Sequence, residues 1–201
     1  MIDNGPTNFF RGVSMEVFIE SKPAFSEKAK SGAWTATQVL IGGLFLAACA
    51  QVSIPLYPIP MTMQTLGVFT LATMQGGRIA SYSALLYLAL ISLGLPVLSG
   101  GASNAMWFAL PSAGYLLAFP IAAYAIGKLI SAKEKPNSLW VLFSVLVGQL
   151  IIYILGVGVL TRLLSVKESL MAGLVPFLPL AGVKLLIAST LGGLWLRWKK
   201  K

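Results

Sequence analysis

Residues 138–160 read SLWVLFSVLVGQLIIYILGVGVL and contain no Lys, Arg, Asp or Glu. Wound as a helix rising 1.5 Å per residue, such a run is roughly 35 Å long, enough to cross a hydrocarbon core about 30 Å thick. A connection carrying Lys128, Lys133 and Lys135 stands before it and Arg162 follows it, so the stretch reads as a membrane span with both ends at the water boundary. Working outward, further apolar runs lie at about 114–130, 79–95 and 177–196, divided by Gly-rich, charged and Pro-rich joints. An earlier run from Trp34 to Ile54 stops at Pro55-Leu56-Tyr57-Pro58-Ile59-Pro60, which cannot continue a helix. A shorter run, Gln64 to Met74, ends at Gly76-Gly77-Arg78. Its helix either extends into the flanking residues or crosses only part of the membrane against other helices; we expect the first.

The fold class that follows is an all-α integral membrane protein, a six-transmembrane-helix bundle. Composition agrees: 57% of residues are apolar and only 10% charged, with a mean hydropathy of +0.82. Half a dozen spans in 201 residues leave no room for a separate catalytic domain, so residues 33–201 form one membrane domain behind a tail over residues 1–32. Met1–Ser14 reads as an expression leader, with translation starting at Met15 or later, and no cleaved signal peptide is expected. The lone Cys49 lies in an apolar span and reads as packing.

Charge sets the expected orientation. Of the fifteen Lys and Arg residues, twelve fall in the two tails and in the second and fourth connections, and only Arg162 and Lys167 lie on the other side. By the positive-inside rule both termini are cytoplasmic, in a multi-pass protein of the plasma membrane, and the Pro-rich and Gly-rich connections face outward. The basic residues flank spans and gather on no soluble face, so nucleic acid is not an expected partner; the lipid bilayer is. Trp34, Trp140, Trp195 and Trp198 stand near span ends, where an interfacial belt puts them.

The remaining cation is Lys184, inside an apolar segment that holds no carboxylate. An ammonium at membrane depth costs roughly 2.5–3.5 kcal/mol on insertion scales unless an anion meets it. The expected anion is a substrate carboxylate, with the positive end of the last helix adding to the attraction. The competing reading is a Lys that threads its stem outward to the headgroups. The connection after the third span, Pro96 to Tyr115, is long, uncharged and Gly-rich, and carries apolar side chains. It is expected to fold over the bundle as a cap on an outward-facing ligand pocket, with Gly100 and Gly101 allowing close backbone approach. Asn104 offers a donor and an acceptor suited to a cyclic urea or amide, and Trp107 and Tyr115 offer flat walls. Against this stand an Asn104 that bonds its own turn and a Trp107 that only anchors at the interface.

The block Gln51-Val52-Ser53-Ile54-Pro55-Leu56-Tyr57-Pro58-Ile59-Pro60-Met61-Thr62-Met63-Gln64-Thr65-Leu66-Gly67 is followed by Gly94-Leu95-Pro96-Val97, Ser99-Gly100-Gly101, Gly114-Tyr115-Leu116 and Pro176-Phe177-Leu178-Pro179. This closely resembles the BioY family, the biotin-specific substrate-binding S components of energy-coupling-factor (ECF) transporters, over about Val39 to Leu196. The resemblance implies high-affinity capture and uptake of biotin, with a transmembrane coupling (T) protein and two cytoplasmic ATPases as partners. By its implication, substrate-binding positions fall on Asn104, Tyr115, Gln51, Gln64 and Lys184, and the reading of the cap adds Gly100, Gly101 and Trp107 to the expected site. Two departures stand out. Many relatives read Pro-Gly-Asp before the Lys where this chain has Pro179-Leu180-Ala181, and Gly-Pro-Thr-Gly-Gly-Tyr where it has Leu110-Pro111-Ser112-Ala113-Gly114-Tyr115.

The chain has no phosphate-cradling Gly-x-x-x-x-Gly-Lys-Ser/Thr loop and no His, so neither ATP hydrolysis by that route nor the usual proton relay is expected within it. No cofactor, metal or catalytic residue is expected. An enzyme acting on a lipid or acyl substrate lacks the acid–base groups it needs. A self-sufficient carrier or channel for a small anionic amphiphile is the alternative. Gly43 and Ala47, four apart on the first span, let helix backbones approach closely, and the resemblance makes this helix the expected contact with the coupling protein; the competing reading is packing within the chain.

Overall fold

The computed structural model describes residues 24–198, so the leader expected before Met15 lies outside the described residues. Two units are distinguished, Met1–Ala36 and Thr37–Lys201. The described part of the first is helical; the contacts below all lie in the second. The α-helices among the described residues are α1 (Ala24–Gln51), α2 (Gln64–Met74), α3 (Gly77–Ser92), α4 (Ala113–Ser131), α5 (Ser138–Leu160), α6 (Val166–Gly173) and α7 (Leu178–Trp198). Two short strands, β1 (Ser53–Ile54) and β2 (Met61–Thr62), pair antiparallel with Ser53 opposite Thr62. Four segments are long and apolar enough to cross a membrane: Gly32–Gln51, Ala113–Ser131, Ser138–Leu160 and Val166–Leu196. The last contains α6, a 3-10 turn at Val175–Phe177, and α7 as far as Leu196.

α5 has the bounds its sequence predicts, because a run of apolar residues in lipid must satisfy its backbone within itself. α2 does not extend into its flanks. The Met63 amide donates to Val52 O (3.0 Å), closing the β-hairpin against the helix start, and Gly76 at φ 85° ends the segment. The helix keeps its eleven residues and buries Gly67, Val68, Phe69, Leu71 and Ala72, so it is an interior element and not a full span. The same hairpin takes Ser53 and Ile54 from the expected first span, which ends at Gln51. α6 was not expected. Its start is a capping box: Ser165 Oγ accepts from the Glu168 amide (3.3 Å) and Glu168 Oε2 from the Ser165 amide (3.0 Å), so the Ser-x-x-Glu spacing was a readable signal.

Helix phase divides the surface from the interior. On α5, Leu139, Phe143, Leu146, Leu150 and Ile154 are exposed, whereas Val141, Val145, Gly148, Gln149, Ile152 and Gly156 are buried. On α7, Val183, Leu186, Ile187 and Leu194 face outward while Ala181, Lys184 and Ala188 face in. An apolar exterior of this kind suits lipid, and the inward faces of α2, α4, α5 and α7 meet around a common interior. The small-residue face of α1 is used internally: Gly43 and Ala47 are buried, and any Cβ on Gly43 would meet Leu86 and Ser83 of α3. That arrangement accords with the packing reading for Gly43.

Candidate ligand-binding cavity

A cavity of about 220 Å³ lies among α2, α4, α5 and α7, bordered by the proline loop and by the connection between α3 and α4. Ile59, Leu98, Leu110, Leu116, Phe119 and Ile152 supply its apolar walls. Its polar groups are few: Thr62, Gln64, Thr65, Ser99, Ser112, Tyr115, Gln149, Tyr153 and Lys184. A mostly apolar pocket with a few convergent polar groups is the usual form of a small-ligand site.

Lys184 is 5% exposed, so it does not snorkel. Its Nζ donates to the Thr62 carbonyl (2.6 Å) and to Thr65 Oγ1 (3.0 Å), tying α7 to β2 and α2. Two neutral oxygens hold the ammonium where the sequence showed only that its own segment has no carboxylate. They do not neutralise it. The six acidic residues are Asp3, Glu16, Glu20, Glu27, Glu134 and Glu168, none of them on α2, α3, α4, α5 or α7. An ammonium has three donors, and described residues engage two of them.

Tyr115 is 8% exposed and presents its ring to the cavity. Its hydroxyl donates to the Gly173 carbonyl (2.7 Å), and the ring stacks on Phe177 with centroids 6.2 Å apart. The ring packs on Gly156 of α5, where any Cβ would collide with it. The hydroxyl thus serves the fold and the ring face serves the wall. Tyr115→Phe is expected to lower stability by about 1–2 kcal/mol, because the buried Gly173 carbonyl loses its partner, while ligand affinity changes much less. Thermal denaturation in detergent with and without ligand separates the two effects.

Gln64 is buried at the start of α2, and its Oε1 accepts from Thr62 Oγ1 (3.0 Å). Its Nε2 has no partner in hydrogen-bonding geometry, although the side chain is close enough to Tyr87 for an electrostatic interaction. Gln149 also lines the cavity, and sequence reasoning passed over it. The signal was present: Gln149 is the one amide side chain inside the 138–160 run, and polar side chains within membrane helices tend to face the bundle.

Five expected site residues do not line the cavity. Asn104 Oδ1 accepts from the Met106 amide (2.9 Å), capping its own turn. Trp107 is buried, and its Nε1 donates to Ser92 Oγ (2.8 Å). Gln51 Nε2 donates to the Leu98 carbonyl (3.2 Å). With the Tyr87 hydroxyl bonded to Val97 O (3.0 Å), these contacts pin the connection on the bundle so that Leu98, Ser99, Ala102, Leu110 and Pro111 reach the cavity. Gly100 and Gly101 adopt φ 68° and 75°, with at most one atom within 4 Å of a Cβ there; backbone conformation, not close approach, requires glycine.

Comparison with known proteins follows the same line. A family model described as the BioY family matches residues 23–200. The biotin transporter BioY of Thermotoga maritima is 35% identical over 81% of this chain and 96% of its own length. A probable biotin transporter BioY of Pyrococcus horikoshii is 31% identical over 71% of this chain and 86% of its own. The biotin transporter BioY2 of Lactococcus lactis is 30% identical over 79% of this chain and 88% of its own. Among solved structures, the S-component for biotin from an ECF-type ABC transporter has the same fold, with a TM-score of 0.72 at 24% identity over 86% of this chain and 94% of that one.

Proposed function

Because this chain belongs to the BioY family, we propose that it is a biotin-capturing S component of an ECF-type transporter, binding the vitamin in the cavity between α2, α4, α5 and α7. The observation that carries the reading is Lys184, a buried cation without a carboxylate partner among the described residues, at the wall of a mostly apolar cavity. A ligand that fits is a small anion with an apolar body, and biotin is one: its pentanoate carboxylate pairs with Lys184, and its alkyl chain and ring system lie against Ile59, Leu116, Phe119 and Ile152. In this reading the chain binds and carries out no reaction. A transmembrane coupling protein and two cytoplasmic ATPases drive uptake, the cavity opens outward, and both termini are cytoplasmic in the plasma membrane.

Titration of the purified chain with biotin, by calorimetry or tryptophan quenching, tests this. One-to-one binding in the nanomolar range, about −12 kcal/mol, is expected, with desthiobiotin weaker and a biotin amide much weaker. Absence of biotin binding would overturn the reading. Liposomes containing the chain alone are expected to bind biotin without accumulating it; concentrative uptake there would mark a self-sufficient carrier.

A further inference from the structure

We infer that Gln149 is the residue that selects a head group bearing an N–H, with its side-chain carbonyl accepting a hydrogen bond from the ring nitrogen of a cyclic urea. The inference rests on the proposed biotin reading and assigns the part of the ligand that Lys184 leaves unread. Three observations carry it. Gln149 is 5% exposed and lines the cavity. Its Oε1 is buried without a hydrogen-bond partner among the described residues. It also shares the inward stripe of α5 with Val145 and Ile152, so no small rotation of the helix delivers it to lipid.

A buried acceptor left without a donor is costly, and native structures keep very few. A hydrophobic residue of the same length would relieve that cost, so the amide destabilises the empty protein unless the ligand completes it. The ligand group required is a donor. Lys184 already offers the cavity a cationic donor, and a carboxylate has no hydrogen to give Gln149 at neutral pH. A cyclic urea gives two N–H groups and one carbonyl on a flat edge, and an analogue without them leaves Oε1 unpaired in the complex as well. Sites of this kind reject the analogue because their own polar atom stays orphaned.

The test compares wild type with Gln149→Met, a substitution of nearly the same length and shape. Three quantities are read in detergent: the Kd for biotin, the Kd for lipoate, and the thermal midpoint without ligand. Lipoate carries the same pentanoate chain on a ring with no N–H and no carbonyl. Wild type is expected to bind biotin and to bind lipoate at least about 10-fold more weakly or not at all. Gln149→Met is expected to weaken biotin about 10- to 100-fold, to leave any lipoate binding unchanged, and to melt at or above the wild-type temperature. Unchanged biotin affinity, equal losses for both ligands, or lipoate binding as tight as biotin in wild type would each overturn the inference. A variant that melts lower or fails to fold would show a structural role for Gln149 and overturn it too. Failure of wild type to bind biotin at all removes the underlying reading, which distinguishes that failure from this one.

Discussion

Lys184→Met is expected to weaken biotin by about 1.5–3 kcal/mol, roughly 10- to 150-fold, and to leave a biotin amide nearly unaffected. The asymmetry follows from the charge. The ammonium is buried with two neutral acceptors, Thr62 O and Thr65 Oγ1, and a carboxylate is the ligand group that gains most from its remaining donor. Two effects on the empty protein oppose each other. Removing an ammonium from membrane depth recovers roughly 2.5–3.5 kcal/mol on insertion scales, whereas losing its bonds to the Thr62 and Thr65 oxygens costs a similar amount, about 1.5–3 kcal/mol per charged bond. Stability is therefore a poor readout and affinity a good one. Calorimetric titration of both ligands against both proteins forms the cycle, and equal losses for acid and amide would defeat the carboxylate assignment.

Gly156→Leu is expected to abolish measurable ligand binding and to destabilise the bundle by about 3 kcal/mol or more, with Gly158→Leu as its control. The two glycines sit two residues apart on α5, so both substitutions gain similar helix propensity. Their surroundings differ. A side chain at Gly156 enters the space of the Tyr115 ring, whereas nothing lies within 4 Å of a Cβ at Gly158. Displacing that ring breaks the Tyr115 to Gly173 bond, the stack on Phe177 and one wall of the cavity together. Thermal melting and biotin titration of the two variants decide the matter; a Gly158→Leu protein as damaged as Gly156→Leu would show that α5 tolerates no side chain for reasons unrelated to Tyr115.

How far the sequence carried the reading depends on the distance over which each signal acts. The span at 138–160 was legible to the residue because twenty-three residues without a charge, nearly all of them apolar, leave the backbone one way to satisfy itself in lipid. α2 is shorter than its sequence predicts because what limits it is the pairing of Ser53–Ile54 with Met61–Thr62, a hairpin inside a proline-rich segment. Asn104, Trp107 and Gln51 have side chains suited to a ligand, and the sequence identified their chemistry without identifying its use. Their hydrogen bonds go to Met106, Ser92 and Leu98, where they hold the connection in place.

Determined by the sequence alone were the solvent of the protein, the motifs of its family and the presence of a cation too costly to leave unanswered, since each follows from local composition or from residues close in the chain. Only the tertiary structure decided which way that cation points and what shares its cavity. Lys184 lies 122 residues from Thr62 and 119 from Thr65. Gln149 turns inward because α4 and α7 pack on that side of α5. A helical sequence states that one face differs from another, but which face meets a cavity depends on neighbours that the chain supplies only after it has folded.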